Sequence, residues 1–188
     1  MFNTSSPEKG SILLAEPFML DYNFDRSVIL LCEHDIEEGT MGLILNHRSS
    51  LLLSDVINEI ESDDFNLYIG GPVNTEAMFF IHKVPDQIEG GVQLVDRFYF
   101  GGNFDQVISL INNKLITSSD IKFFLGYAGW NINQLEDEIE QNSWVVHNKF
   151  PTELLLLEDG EDLWKQAIIS LGPKYAHVAN FPKTPNMN

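Results

Sequence analysis

The chain has 188 residues, of which 44% are hydrophobic and 21% are charged, a composition typical of a globular protein and not of a disordered one. Its 28 acidic residues outnumber the 11 lysines and arginines, so the formal net charge is −17. This charge repels polyanions and disfavours direct binding to nucleic acid or to an anionic membrane surface. The chain starts without a signal-peptide pattern, has no apolar run of membrane-spanning length and contains one cysteine, so we expect a cytoplasmic location without disulfides.

The first half of the chain is predicted to consist mostly of strands separated by polar turns. Residues 28–32 are apolar at every position, as in a central strand that is covered on both faces. The polar segment 35–40 leads into another apolar run, which is consistent with a hairpin. Ser54 is expected to cap a short helix with apolar residues up to Ile60. The predicted strands of this half are 11–15, 28–32, 41–45, 66–69 and 77–82.

The second half is predicted to mix strands with helices. Helical spacing begins at Phe104, with Asn103 as the candidate cap. A glycine turn at 126–129 is expected to separate a strand from a helix, at whose start Asn133 and Glu136 have the spacing of a capping box. The predicted strands of this half are 92–95, 97–100, 121–125, 144–146 and 154–157.

The last predicted helix is the most regular. Asp159 is its candidate cap, apolar residues recur at core spacing up to Leu171, and Gly172 ends it. Beyond it, prolines and a polar ending predict a flexible tail at 180–188. Because strands outnumber helices and do not alternate strictly with them, we predict one domain over residues 1–188, with a mixed α/β fold in which a largely antiparallel sheet is flanked by α-helices.

Five ordered motifs resemble those of a known family. They are Phe24-x-Arg26-Ser27-Val28, Cys32-Glu33-His34, Met41-Gly42-Leu43-Ile44-Leu45-Asn46, Gly70-Gly71-Pro72-Val73, and Gly126-Tyr127-Ala128-Gly129-Trp130 with Gln134-Leu135-Glu136. Together they closely resemble the YqgE/AlgH family of bacterial proteins, over most of residues 8–172. The resemblance implies a curved sheet flanked by helices, assigns no catalytic residue, and brings with it the label of transcriptional regulator that some members carry. After Asn46 this chain departs from the family, because His47-Arg48-Ser49 stands where a basic residue and proline are common.

Cys32 and His34 are the candidate catalytic residues. On a regular strand they share a face, with α-carbons about 6.6 Å apart, so a hydrolase or transferase that uses the thiol and the imidazole is one hypothesis. The alternative is a buried cysteine that ends a core strand, followed by a histidine where the strand emerges. The neighbouring acids, among them Glu33 and Asp35, would raise the pKa of the thiol and favour this second interpretation.

Metal and cofactor sites have little support in the sequence. Cys32, His34, His82 and His147 are potential metal ligands, but only the first two have a recognisable ligand spacing. The acidic segment 35–38 lacks the calcium-loop pattern. We therefore expect no metal and no tightly bound cofactor.

Glycine turns and Trp130 supply candidate ligand-binding residues. Gly70 and Gly71 lack the lysine and the spacing of a phosphate loop, so a simple turn is the favoured interpretation. Gly129 and Trp130 precede a predicted helix, where backbone amides can receive an anion and the indole can form an apolar wall. For Trp130, packing in the core is the favoured alternative.

Three arginines complete the set of candidates. If Arg26, Arg48 and Arg97 lay together, they would form a concentrated positive site for a carboxylate or phosphate on a negative protein. The alternative is three separate interactions with the plentiful acids.

The sequence thus favours a cytoplasmic, non-enzymatic binding or regulatory domain that acts through a protein or small-molecule partner. Direct nucleic-acid binding is disfavoured because no helix is basic, although regulation through a protein partner is compatible with the charge. A symmetric homodimer is expected only because this is the commonest assembly of soluble proteins.

Overall fold

Ten β-strands form one sheet and three α-helices pack against it in the computed structural model of the chain, which describes residues 5–158 and 160–182. The helices are α1 Phe104–Asn112, α2 Gln134–Glu140 and α3 Gly160–Ser170. Single turns of 3-10 helix occur at Tyr22–Phe24, Leu53–Asp55, Thr152–Leu154, Pro173–Tyr175 and Val178–Asn180. The strands are β1 Ile12–Ala15, β2 Val28–Asp35, β3 Gly39–Ile44, β4 Arg48–Leu52, β5 Asn66–Ile69, β6 Val73–His82, β7 Val92–Val95, β8 Phe98–Phe100, β9 Ile121–Trp130 and β10 Trp144–His147.

Strand β9 joins the two halves of the sheet. The main strand order is β10-β1-β2-β3-β9-β6-β8-β7, and every neighbouring pair in it is antiparallel. The first half of β9 also pairs with β5, which runs parallel to it, and β5 in turn pairs with β4. The second half of β9 pairs with β3. A mixed, largely antiparallel sheet with flanking helices is therefore confirmed.

Three hydrophobic clusters form the core of the part of the chain that the structure describes. The apolar strands β1 and β2 are covered on both faces: Leu14 and Leu30 belong to a cluster that includes α3, whereas Leu13 and Ile29 belong to one that includes α2. The third cluster joins α1 to β5, β6 and the first half of β9. The continuous apolar run at 28–32 therefore indicated a strand buried on both sides, as predicted.

One of the two predicted glycine turns is instead a crossing of two backbones. The turn at Gly70 and Gly71 forms as predicted, since β5 runs parallel to β9 and β6 runs antiparallel to it. Residues 126–129 do not form a turn, since β9 continues through them to Trp130. Gly126 has a φ of +69°, and a Cβ at Gly70 would overlap its carbonyl. A Cβ at Gly71 would overlap the backbone of Tyr127 and Ala128. Glycine is needed here for close approach between the chain before β6 and the middle of β9.

Two predicted helix caps are wrong, although α2 begins directly after Asn133 as predicted. Asn133 has a left-handed backbone conformation, and its side chain makes no capping hydrogen bond to α2. Instead, the side-chain oxygen of Gln134 accepts a hydrogen bond at 3.0 Å from the backbone amide of Asn131. Ser54 does not cap a helix up to Ile60, because only the single turn Leu53–Asp55 forms and the Ser54 hydroxyl donates to Asp63. By contrast, the Asn103 cap of α1 is confirmed, since its side chain accepts from the Gln106 amide at 3.1 Å.

The C-terminal region contains one further correction. Residues 154–157 were predicted to be a strand, but Leu154 ends the 3-10 turn Thr152–Leu154 and residues 155–157 follow as an irregular segment. Their apolar side chains pack against the largest core cluster, which explains an apolar run without strand pairing. Helix α3 has the predicted position, with Gly172 just beyond its end. The predicted cap Asp159 and residues 183–188 of the predicted tail lie outside the described residues.

Candidate functional site

The best candidate site is an open groove of about 540 Å³ over the ends of β2, β3 and β9, which we call the acidic groove. Three carboxylates, from Glu33, Asp35 and Glu38, line one part of it. The other lining residues are Gly39, Thr40, Met41, Val73, Tyr127, Gly129, Trp130 and Asn131. Four of the five sequence motifs contribute residues to this groove.

Strand pairing sets the floor of the acidic groove. Glu33 pairs with Met41 across β2 and β3, and Met41 pairs with Gly129 across β3 and β9. Tyr127 pairs with Val73 on the other side of β9. Because Gly129 has no side chain, the thioether and the neighbouring Tyr127 ring form a shallow apolar floor beside the carboxylates. A groove of this kind suits a ligand with both a cationic and an apolar part.

The hairpin between β2 and β3 fixes the acidic side of the groove. Asp35 accepts hydrogen bonds from the amides of Glu37 at 2.7 Å and Glu38 at 3.2 Å, and this shapes the loop. Glu33, Asp35 and Glu38 are all exposed. Their charges therefore face water and are not neutralised by an ion pair within the described residues.

The predicted shared face of Cys32 and His34 is wrong. A β-bulge between Leu31 and Glu33 inserts Cys32 as an extra residue, which reverses the alternation of faces. Cys32 is fully buried in the cluster that includes α3. His34 lies on the side of α2, where its Nε2 atom is 3.8 Å from a carboxylate oxygen of Glu136. The thiol and the imidazole are not brought together, so their geometry gives no support to a Cys-His hydrolase or transferase.

Cys32 and His34 instead have roles in the packing and hydrogen bonding of the fold. Burial raises the pKa of the Cys32 thiol, and the Glu33 carboxylate raises it further, so the thiol form is favoured. His34 Nδ1 lies 2.7 Å from the hydroxyl oxygen of Thr40, its cross-strand neighbour. The histidine thus connects the hairpin to helix α2.

Trp130 lies mainly in the core, as the favoured alternative predicted. Only 6% of the residue is exposed, and its ring lies against Phe24 and Trp144. Its indole N–H donates to Glu138 at 2.9 Å, and the indole of Trp144 donates to the same oxygen at 2.7 Å. Trp130 and Gly129 both line the acidic groove. Their role in ligand binding stays a prediction.

The three arginines have three different environments. Arg26 has its guanidinium carbon 4.8 Å from the centre of a Trp164 ring and donates to the Phe181 carbonyl. Arg48 donates to Asn66 at 2.6 Å. Arg97 is exposed in the turn between β7 and β8. None of the three lines the acidic groove, and their role as ligand-binding residues stays a prediction.

The remaining candidate metal ligands, His82 and His147, also make hydrogen bonds within the fold. His82 is buried, and its Nε2 lies 3.1 Å from the Gly101 carbonyl oxygen. His147 has its Nε2 2.9 Å from the Ser170 hydroxyl. Burial lowers the pKa of both imidazoles. Among residues 5–158 and 160–182, no group of three His, Cys, Asp or Glu side chains has the arrangement of a metal site.

Sequence reasoning missed several residues of interest. Met41, Val73 and Tyr127 belong to apolar stretches, and their convergence depends on pairings between distant strands. Lys122 was also missed, although a single lysine inside the apolar run 121–125 is a visible signal of an unusual environment.

Comparisons with known proteins agree with the fold and the motifs. The family model described as AlgH-like matches residues 12–176. A UPF0301 protein of Bacteroides thetaiotaomicron is 39% identical over 187 residues, which cover 99% of this chain and 94% of that protein. One from Chlorobaculum tepidum is 38% identical over 179 residues, with 95% of each chain covered.

Two solved structures have a similar fold. A crystal structure of a Corynebacterium diphtheriae protein superposes with a TM-score of 0.78 at 26% identity and covers 95% of each chain. The solution structure of the AlgH protein from Pseudomonas aeruginosa gives a TM-score of 0.71 at 28% identity, covering 96% of this chain and 98% of that one. Within the described residues, no helix is both long enough and apolar enough to cross a membrane.

Proposed function

The chain belongs to the AlgH-like family, and from that premise we propose that it is a non-enzymatic binding or regulatory domain of the cytoplasm. We further propose that its partner is a protein that places a basic, partly apolar peptide segment in the acidic groove. The observation that carries this proposal is the combination of three exposed carboxylates with an apolar floor in one open groove.

Negative charge favours such a partner both during its approach and after contact. The net charge of −17 accelerates the approach of a basic segment and slows that of a polyanion. At contact, Glu33 and Glu38 supply carboxylates for lysine or arginine, while Met41 and Tyr127 offer apolar area to the stem of the same side chain. Regulation of transcription by this protein would, on this proposal, pass through a protein partner rather than through DNA.

The proposal can be tested with a short peptide that combines arginines with leucine. NMR titration of isotope-labelled protein should shift the amide signals of Met41, Tyr127 and Gly129 most strongly. The double substitution Glu33→Lys with Glu38→Lys should weaken binding at least tenfold, because it replaces attraction by repulsion.

A matched control separates local recognition from overall charge. Asp86→Lys with Glu89→Lys makes the same change in net charge at two exposed positions outside the groove. If this control weakened binding as much as the groove variant, or if the shifted amides lay elsewhere, the acidic groove would not be the binding site.

A further inference from the structure

Strand β6 has an open edge along most of its length. On one side it pairs with β9, but on the other side β8 pairs only with Ile81 and His82. Just beyond that pairing, the Gly101 amide donates to the Phe80 carbonyl oxygen at 2.9 Å. In the part of the chain that the structure describes, no strand pairs with residues 73–79 on this side. An open edge of this kind is available for pairing with an added strand.

An open cavity of about 340 Å³, which we call the aromatic cavity, lies beside this edge where β8 ends. Gly101 and Gly102, with φ values of +67° and +128°, line it and lead from β8 to the cap of α1. None of the described residues that line the cavity is charged, so it suits an uncharged apolar group. Its other walls come from two core clusters, with Ile57, Met78, Phe80 and Phe104 from the cluster that includes α1 and Phe79 and Phe100 from the cluster that includes α3.

A row of three rings connects the aromatic cavity to the acidic groove. The Tyr127 ring, in the floor of the acidic groove, lies edge-on to the Phe79 ring, with centres 5.8 Å apart. Phe79 stacks on Phe100 with centres 6.2 Å apart, and both residues line the aromatic cavity. All three residues are half-buried and pack against the same core cluster. The acidic groove and the aromatic cavity are therefore parts of one continuous surface.

The strand register sets the distance between the acidic groove and the aromatic cavity. Glu33 pairs with Met41, which in turn pairs with Gly129. On the other side of β9, Met78 pairs with Leu125, four residues before Gly129. With three strand spacings between β2 and β6, these offsets correspond to about 13 Å along the strands and about 14 Å across them, or about 19 Å in all. Because the side chains of a ligand cover part of this distance, an extended peptide reaches both sites with residues about four positions apart.

We propose that the aromatic cavity is a second subsite for the same partner segment that occupies the acidic groove. The segment places a lysine or arginine against Glu33 and Glu38 and, about four residues away, a phenylalanine or tryptophan in the aromatic cavity. This inference rests on the proposed function, and it adds the sequence pattern that the partner must carry.

Charge and backbone geometry favour an extended peptide over a free apolar molecule. The groove and the cavity together offer a cationic contact and an apolar contact at a fixed separation. Because the backbone groups of a strand alternate between its two sides, the N–H and C=O of Met78 face the same open side as the Phe80 carbonyl. A peptide backbone can pair with these groups while its apolar side chain enters the cavity. A free apolar molecule uses the cavity alone.

NMR titration of the isotope-labelled protein with two end-capped peptides tests the proposal. The first, Phe-Ser-Ser-Ser-Arg-Arg-Ser-Ser-Ser-Phe, presents the pattern in both chain directions, and the second has alanine in place of both phenylalanines. We expect the first peptide to bind at least tenfold more tightly and to shift the amides of Met78 and Gly102 as well as those of Met41 and Tyr127. A composition-matched peptide, Ser-Ser-Ser-Phe-Arg-Arg-Phe-Ser-Ser-Ser, should lose this gain because its rings lie too close to the arginines.

The results separate this inference from the proposed function. Equal affinities of the phenylalanine and alanine peptides, with shifts confined to the acidic groove, would overturn the inference and leave the proposed function intact. If neither peptide shifted the groove amides, both would be rejected. In the double variant Glu33→Lys with Glu38→Lys, the phenylalanine peptide should bind at least tenfold more weakly. Unchanged binding in the aromatic cavity of that variant would mean an independent apolar site and would contradict the shared segment.

Met78→Glu tests the aromatic cavity from the side of the protein. A carboxylate in this apolar cavity should lower the affinity for the phenylalanine peptide at least tenfold, to that of the alanine peptide. Ile169→Glu makes the same change in charge on the exposed side of α3, outside both sites, and should leave the affinity unchanged. Equal affinities of the two variants would contradict the assignment. Amide spectra of the free variants check the fold, and the peptide comparison on the unmodified protein decides the question if Met78→Glu does not fold.

Discussion

Cys32 shows how burial decides the reactivity of a single side chain. Its side chain lies in the same core cluster as that of Leu30, two residues earlier on β2, and is fully buried, with the Sγ atom 3.7 Å from the Leu30 carbonyl oxygen. The β-bulge turns His34 away from this face. Since burial raises the thiol pKa, little thiolate exists at neutral pH. We predict that iodoacetamide modifies Cys32 at least a hundredfold more slowly in the native protein than in denaturant. Mass spectrometry over time measures this, and rapid native alkylation would show an accessible thiolate instead.

Gly71 provides a prediction about backbone packing. In Gly71→Ala, the added methyl group would overlap the backbone of Tyr127 and Ala128, so we expect a loss of about 3 kcal/mol or more in unfolding free energy. Gly90→Ala is the matched control, because Gly90 also has a positive φ but no atom lies within 4 Å of the added Cβ. Its cost should be only about 1 kcal/mol, from backbone strain. Equal costs in urea unfolding would show that the two backbones separate easily.

Lys122 predicts a specific dependence of stability on pH. Its pKa is about 7 in the folded protein and about 10.4 when unfolded, so the unfolded state binds more protons between these values. The cost of burying the charge is complete below pH 7 and disappears as the pH rises towards 10. Relative to Lys122→Met, the wild type should therefore gain about 2 to 4 kcal/mol between pH 6 and 9.5.

Denaturant unfolding of both proteins at several pH values measures that difference. Other groups that titrate in this range, including Tyr68, are present in both proteins and largely cancel. A constant difference between wild type and Lys122→Met would show that the amine keeps an ordinary pKa.

At the scale of elements, helix α2 depends on one carboxylate. Glu138 accepts hydrogen bonds from the indoles of Trp130 and Trp144, which lie on different strands, and from the side-chain amide of Gln134. Glu138→Gln replaces one acceptor oxygen by a donor group and weakens charge-assisted bonds. We predict a loss of about 1 to 3 kcal/mol in unfolding free energy.

Asp137→Asn is the control for this helix, because Asp137 is exposed and adjacent to Glu138. It should change stability by less than about 0.5 kcal/mol. Tryptophan fluorescence during urea unfolding reports both the stability and the environment of the two indoles. Similar losses in the two variants would mean that the indole contacts contribute little.

Elements that are determined by neighbouring residues could be predicted from the sequence, whereas elements that depend on contacts between distant residues could not. The apolar runs of β1, β2 and β10 and the Asn103 cap could be predicted, because period and cap chemistry act within a few residues. The path of β9 could not. Gly126 and Gly129 indicate a turn locally, whereas here Gly126 lies at a crossing with distant Gly70 and Gly71. The run 154–157 is apolar because it covers the core, which periodicity alone does not distinguish from a strand.

The candidate site was less predictable than the fold for a related reason. The motifs identified Glu33, Gly129 and Trp130, but their meeting in one groove depends on the pairing of β2, β3 and β9. The bulge at Cys32 had no sequence signal, since no glycine or proline marks it. Lys122 was detectable as a charge in an apolar run, but its partner Leu157 is 35 residues away.

For the whole molecule, the dominant property is its negative charge. At −17, repulsion among surface acids destabilises the folded state, and salt screens this repulsion. We predict that raising sodium chloride from about 10 to about 200 mM increases the melting temperature by several degrees. The increase should shrink near pH 4.5, where many carboxylates are protonated. A melting temperature that falls with salt at neutral pH would mean that attractive ion pairs outweigh the repulsion.

The position of β9 has a consequence for how the protein unfolds. This strand contributes residues both to the cluster that includes α1 and to the cluster that includes α2. It also pairs with β3, β5 and β6. If β9 separated from either half of the sheet, the apolar residues that it covers in both clusters would become exposed to water. The two halves therefore form one cooperative unit, and a fragment that contains only one of them lacks a complete core.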